Sequence, residues 1–448
     1  MRASAAHALS RVPARGRVIR GITTPSLSAY RTAPKQRLPV ESTWRCQPRA
    51  QCFSTTLSRR SQTSTGNPSS IFPLGHPPKF AFAFDIDGVL LHVAKPIPGA
   101  AETLQFLHDN NIPFILLTNG GGKHETERVA DLSAKLGVQL TTDNFVQSHT
   151  PFKELAAEGK KLREGTILVT GADPSGCREI AERQNVVIPA DILQSSPDIW
   201  PFDPLMEEVY KNTARPLPKP VWDGKMNLED ALKIDAIFVF NDPRDWALDS
   251  QIIMDLMMSD GGVLGSLSYK NGKVTEPNGG WQQHEQPALY FSNPDIFWAT
   301  TYHQPRFGQG AFQAALAGIW SKITGGQILQ SKTIGKPSRE TYEYAERVLN
   351  SHRQEVLVRG GHGGENLPDL CHVYMVGDNP ASDIRGANEF RSPLGTNWQS
   401  ILVRTGVWRP PPGETVGPVE YEPKIIVNDV KAAVQWAMEQ EGFGGHLR

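Results

Sequence analysis

The stretch Lys79-Phe80-Ala81-Phe82-Ala83-Phe84-Asp85-Ile86-Asp87-Gly88-Val89 decides how this chain is read. Residues 79 to 84 are short, almost continuously apolar, and bounded by Pro78 and the aspartate pair. That is the pattern of a strand buried on both faces. A helix is expected from Gly99 to His108, then a second buried strand from Pro113 to Leu117 that ends in Thr118-Asn119-Gly120-Gly121-Gly122. Strand, helix and strand in this order imply a parallel pair with a right-handed crossover.

The pattern returns near the C-terminus. A strand is expected over Cys371 to Val376, running into Gly377-Asp378-Asn379, with Asp383 before a helix over Ile384 to Phe390. Strands over Ser400 to Val403 and Lys424 to Val427 follow, then a helix over Asp429 to Gln440. Between the two halves, residues 123–330 alternate on their own account. Strands are expected over Thr166 to Thr170, Ala236 to Phe240, Gly262 to Leu264 and Ala288 to Phe291. Helices are expected over His124 to Leu136, Ser175 to Gln184, Asp249 to Met258 and Gly310 to Ile323. The reading is an α/β chain with a parallel-sheet core, 79–122 plus 331–448, interrupted by an inserted α/β domain at 123–330. Two Pro- or Gly-rich stretches, Ala214 to Met226 and Arg359 to Asn366, read as surface insertions.

The chain has 448 residues, 39% hydrophobic and 21% charged, and a net charge of −1. Such a balance offers no overall field for nucleic acid, so no nucleic-acid partner is expected. No run reaches the ~18 apolar residues of a spanning helix, so no integral membrane segment is expected. Local charge is less even. The first 60 residues carry 12 Lys plus Arg and one acid, Glu41, and the next acid is Asp85. A basic, hydroxylated, acid-poor leader has the composition of a mitochondrial transit peptide, here 1–60, with cleavage expected near Phe53-Ser54-Thr55 or Arg59-Arg60. Residues 61–78 read as a linker. Cys46, Cys52, Cys177 and Cys371 show no metal-binding spacing; the first two lie in the expected leader, and Cys177 and Cys371 read as ordinary reduced thiols.

Four segments carry chemistry, and most sit where a buried strand ends, which is where parallel sheets bind ligands. Asp85 and Asp87 flank Ile86. A carboxylate can attack phosphorus, and a second carboxyl two residues on can protonate the leaving oxygen and then activate water. Thr118 and Asn119 offer a hydroxyl and backbone N–H groups to a phosphate oxygen. Lys336, in Gly335-Lys336-Pro337-Ser338, is a positive charge for the transferring group. Asp378 is a carboxylate suited to hard Mg²⁺, with Asp383 as an anchor behind it. Each segment alone also reads as a turn, cap or surface charge. Their order and complementary chemistry favour one joint site.

These motifs resemble those of the haloacid dehalogenase (HAD) superfamily of hydrolases. Asp85-Ile86-Asp87-Gly88-Val89 is similar to its first motif, Thr118-Asn119 to its second, Lys336 to its third, and Gly377-Asp378 with Asp383 to its fourth. The insertion resembles the large α/β cap of subfamily IIA. Ser292-Asn293-Pro294-Asp295 and Gly308-Gln309-Gly310-Ala311 resemble that subfamily's cap-to-core segments. Within it, the chain looks like the mitochondrial hydrolase branch of the cat eye syndrome critical region protein type.

The resemblance implies a Rossmann-like core and a Mg²⁺-dependent phosphatase. Asp85 would be nucleophile and metal ligand. Asp87 would be acid/base and bind the metal through its carbonyl. Thr118, Asn119 and Lys336 would hold the phosphoryl group. Asp378 would bind Mg²⁺, with Asp383 supporting it. The substrate would be a small phosphorylated metabolite or a lipid headgroup phosphate, the latter from the branch's association with glycerophospholipid enzymes. A matrix location is expected, and a homo-oligomer stays open. The competing class is a noncatalytic phosphate-binding or scaffold protein on the same fold. His303, His284, Trp281 and Trp298 read as ordinary core and surface of the inserted domain.

Overall fold

A computed structural model describes residues 77–154, 160–181, 185–362, 367–410, 417 and 419–443. The expected leader at 1–60, its cleavage site, Cys46, Cys52 and nearly all of the expected linker lie outside the described residues.

The chain first lays down β1 (Phe80–Phe84), α1 (Ala100–Asp109), β2 (Phe114–Leu117), α2 (Glu125–Leu136) and β3 (Phe145–Val146). It continues through β4 (Ile167–Thr170), α3 (Pro174–Ala181), β5 (Val186–Val187), β6 (Ala236–Val239), α4 (Trp246–Met258), β7 (Ala288–Phe291), α5 (Gln309–Thr324) and β8 (Lys332–Thr333). It ends with α6 (Arg339–Leu357), β9 (His372–Gly377), β10 (Asn397–Val403), β11 (Ile425–Val427) and α7 (Val430–Gln440).

Two parallel sheets result. The first has the order β11-β10-β9-β1-β2-β3. Its centre shows why the opening stretch forms a strand. Phe80, Phe82 and Phe84 project from one face of β1 onto Leu104 and Leu107 of α1 and Val430 and Val434 of α7. Ala81 and Ala83 project from the other onto Tyr342, Ala345 and Leu349 of α6. Period-two alternation of large and small side chains thus builds a helix–sheet–helix sandwich. Phe82 and Phe84 stack with centroids 5.4 Å apart. Each such buried ring contributes roughly 1.5–3 kcal/mol.

The second sheet has the order β8-β7-β6-β4-β5, also parallel throughout, and packs its apolar residues with α3, α4 and α5 into a separate core. Among the described residues, no helix is long and apolar enough to cross a membrane.

Two expectations are corrected. The insertion does not begin at 123. Val129, Leu132 and Leu136 of α2 pack into the first core, and β3 pairs with β2. An amphipathic helix shows that it covers a sheet but not which sheet. At the far end β8 pairs with β7, so the second sheet extends beyond the expected boundary at 330. The strand expected over Gly262 to Leu264 is a turn region held by isolated bridges from Val263. Gly261 and Gly262 both take positive φ there, which breaks the extension.

Candidate active site

In the first sheet the chain moves outward from β1 through β2 and β3, then returns to β9 on the other side of β1. Strand order reverses at β1/β9, and a crevice opens beyond their carboxyl ends. Asp85 follows β1, and its backbone N–H donates to the Val376 carbonyl of β9 at 2.9 Å. Asp378 follows β9, and Thr118 and Asn119 follow β2. The strand ends therefore bring the sequence-predicted residues together.

Lys336 is the hub. Its Nζ lies 2.7 Å from Asp85 Oδ1 and 2.6 Å from Asp383 Oδ1, and donates to the Leu117 carbonyl at 2.8 Å. Only 1% of the lysine is exposed, so these partners replace its hydration. Burial alone would lower the Lys336 pKa, but Asp383 and Asp85 outweigh it and raise it. The ammonium stays charged.

Asp383 is fully buried, and its Oδ2 accepts the backbone N–H groups of Asp378 and Asn379 at 3.1 and 3.0 Å. A Cβ on Gly377 would overlap the Asp383 side chain, so glycine lets this loop close. Asp378 Oδ2 accepts the Val407 N–H at 2.6 Å. Carboxylate oxygens of Asp85, Asp378 and Asp383 all lie within 4.8 Å of one another. Burial pushes all three upward in pKa, Asp383 to about 6 and Asp378 well above its ordinary value, and neighbouring aspartates add to the push. One ammonium faces three buried carboxylates. A hard divalent cation fits this donor set and would offset the remaining charge. Asp383 has both oxygens engaged, which leaves Asp85 and Asp378 as the carboxylates for a metal. The Asp87 side chain is not part of this cluster.

Asp87 is only partly buried and faces the cleft, with Arg128 3.7 Å from its Oδ2. Burial raises its pKa and Arg128 pulls it back, a balance suited to a group that gives and takes a proton. Gly88 has φ of +90°, and a Cβ there would overlap the Asp378 carboxylate. The glycine of the first motif therefore serves the fourth.

Thr118 is buried, and its hydroxyl accepts the Gly120 N–H at 2.9 Å. The Asn119 side chain is turned to the Lys336 backbone and to Asp295. Its Oδ1 accepts the Lys336 backbone N–H at 2.7 Å, and its Nδ2 donates to the Lys336 carbonyl and to Asp295 Oδ2, both at 2.9 Å.

The whole opens into a cleft of about 350 Å³ between the two sheets. The second sheet's segments supply Asp242, Arg244, Asp295, Phe297 and Trp298 to its wall. Trp298 thus lines the site, whereas Trp281 packs edge-on against Trp320 and His284 pairs with Asp260 at 3.2 Å. Sequence reasoning gave no role to Arg128 or Val407, and read Asp295 only as part of a segment resembling a cap-to-core stretch. Asp295 follows β7, so the strand-end rule would have flagged it. It joins Asn119 to Asn379, and burial pushes its carboxyl up to about 7.

Comparison with known proteins shows the family of the chain. Residues 82–186 match the haloacid dehalogenase-like hydrolase family, and residues 333–433 match a HAD-hydrolase-like family. Mitochondrial hydrolase YKR070W of Saccharomyces cerevisiae is 40% identical over 376 residues, covering 81% of this chain and 96% of that one. A Schizosaccharomyces pombe cardiolipin synthase (CMP-forming) / mitochondrial hydrolase fusion protein is 38% identical over 364 residues, 80% of this chain and 53% of that one, so the chain spans about half of that protein. Among solved structures, hypothetical protein PH1952 of Pyrococcus horikoshii OT3 aligns with a TM-score of 0.47 at 20% identity, covering 80% of this chain and 99% of that one. The chain belongs to the haloacid dehalogenase-like hydrolases.

Proposed function

We propose that this protein hydrolyses phosphate monoesters through an aspartyl-phosphate intermediate. The observation that carries the reading is the Lys336 ammonium, seated between Asp85 and Asp383 with Asp378 alongside. In this reading the Asp85 carboxylate attacks phosphorus and an O–P bond forms. The bond from phosphorus to the leaving oxygen breaks, and Asp87 gives that oxygen its proton. Asp87, now a carboxylate, takes a proton from water as the water oxygen attacks the acyl phosphate. Inorganic phosphate leaves and Asp85 is restored.

Lys336, Thr118 and the Asn119 N–H hold the equatorial oxygens through both displacements. Asp85, Asp378 and the Asp87 carbonyl would hold Mg²⁺, which supplies charge neutralisation to the phosphoryl oxygens. Asp383 keeps Lys336 and the Asp378 loop in place. The second sheet acts as a lid that narrows the cleft and limits water.

The substrate is a small phosphorylated metabolite or a lipid headgroup phosphate. The fission-yeast relative's fusion to a cardiolipin synthase supports the second. The acid-poor leader and the relatives named mitochondrial hydrolases support a mitochondrial, matrix location. The test is release of 4-nitrophenol from its phosphate by the full chain with Mg²⁺. Chelation should abolish it, Mg²⁺ should restore it, and Asp85→Asn should not turn over. Activity in the Asp85→Asn protein equal to wild type would overturn the assignment, and absence of activity across a broad phosphate panel would favour a binding protein.

A further inference from the structure

One wall of the cleft continues directly onto the protein surface. The segment 296–307 forms a two-stranded hairpin, Phe297–Trp298 against Arg306–Phe307. Phe297 and Trp298 line the catalytic cleft, yet both are exposed, at 46% and 39%. Ile296, Tyr302 and Phe307 are exposed beside them. Four of the six exposed aromatic side chains among the described residues fall in these twelve positions. Single exposed apolar residues need no explanation, but a cluster at the mouth of a site does.

The cluster is built to stay presented. Phe297 and Phe307 stack with centroids 5.8 Å apart, and Trp298 Nε1 donates to the Phe307 carbonyl at 3.2 Å. The Arg306 guanidinium lies over the Tyr302 ring, 4.5 Å from its centroid. The segment holds no Asp or Glu, and Arg306 and His303 supply its basic groups. Amphipathic aromatics beside a cation, without acids, are the side chains that enter a headgroup layer bearing negative charge. A soluble protein partner would need complementary relief over the same tip. A bilayer needs only the tip itself, and it would bring its own phosphate esters to the adjoining cleft.

We propose that hairpin 296–307 seats the cleft mouth on an anionic lipid surface, and that the substrate is a lipid with a terminal phosphate monoester. The proposal rests on the phosphohydrolase reading above for its substrate, but not for its docking surface. The test uses the full chain and sedimentation with phosphatidylcholine vesicles, with and without phosphatidic acid. Wild type is expected to sediment with the phosphatidic acid vesicles, to release inorganic phosphate from them, and to remain in solution with phosphatidylcholine alone.

The variant carrying Tyr302→Ser and Phe307→Ser alters positions outside the cleft lining. It should lose about tenfold or more in vesicle partitioning, the scale expected when two aromatic side chains leave an interface. It should lose lipid hydrolysis in parallel, and far more than it loses 4-nitrophenyl phosphate turnover. Asp85→Asn should still bind vesicles.

Wild type that hydrolyses the aryl phosphate but ignores vesicles would overturn the docking proposal alone. Wild type that binds vesicles but cleaves no phosphate would overturn the phosphohydrolase reading instead. A double variant that binds vesicles like wild type, or one that converts a wild-type dimer to monomer, would show that the hairpin serves another purpose.

Discussion

Asn119 and Lys336, 217 positions apart, are joined twice: the amide oxygen accepts the lysine N–H at 2.7 Å and the amide nitrogen donates to its carbonyl at 2.9 Å. The side chain grips the lysine backbone as a neighbouring strand would. Asn119→Ala should therefore act through Lys336. Loss of the two bonds is worth roughly 1–3 kcal/mol, and kcat should fall with KM little changed. Asn119→Asp should be worse, because it sets a carboxylate against Asp295. Steady-state kinetics on 4-nitrophenyl phosphate checks both. Equal kcat for the two variants would argue against the positioning role.

Lys336 balances Asp85 and Asp383 with almost none of its own side chain exposed. Lys336→Met leaves buried carboxylates without their partner. It is expected to destabilise the fold by roughly 3–5 kcal/mol and to lower kcat by about 10²–10³ or more. Lys336→Arg should not rescue activity, since a larger planar head has no room at a side chain only 1% exposed. Urea denaturation and turnover measure the two effects separately.

Gly88 and Gly137 form a matched pair for testing the strand-end turn. Both take positive φ, +90° and +65°, but a Cβ at 88 meets Asp378 while one at 137 meets nothing within 4 Å. Gly137→Ala should cost only the backbone strain of about 1–2 kcal/mol and leave kcat alone. Gly88→Ala should add displacement of Asp378 and raise the Mg²⁺ concentration needed for half-maximal rate. A metal titration of both variants distinguishes them.

Asp249 lies in the core of the second sheet, where burial pushes its carboxyl up to about 7 while Thr170 donates to it at 2.7 Å. Its folded pKa is above its unfolded value, so the folded state holds the proton more tightly. Stability should therefore fall as pH rises from about 4 to about 7, then level off. Asp249→Asn should flatten that slope and raise stability at neutral pH by on the order of 2–4 kcal/mol. Melting temperatures from pH 4 to 8 test this. A slope unchanged by the substitution would mean that Asp249 does not cause it.

The sequence made β1 and the carboxylates of the candidate site readable for one reason. A strand buried on both faces is nearly all apolar, so the polar residue that ends it stands out, as Asp85, Thr118 and Asp378 do. The sheet to which α2 belongs was not readable, because Val129, Leu132 and Leu136 mark a covered face without marking what covers it. The contacts of Asp295, Arg128 and Val407 were hidden for a related reason. Each acts through a tertiary contact, to Asn119, Asp87 and Asp378, that local pattern does not encode. Asn119 was legible as part of the site, but the clasp of its side chain on the Lys336 backbone was not, since that partner lies 217 positions away.

The pairing of β1 with β9 has a consequence for how the protein is made. β1 lies at the start of the described chain and β9 follows the whole insertion, so Asp85 and Asp378 meet only once synthesis has passed residue 378 and the sheet has closed around its earliest strand. No nascent or clipped fragment lacking either strand holds both carboxylates. Under the proposed mechanism turnover is thus a readout of completed assembly: a chain that stalls, or is cut and loses its C-terminal portion, should be silent rather than half active.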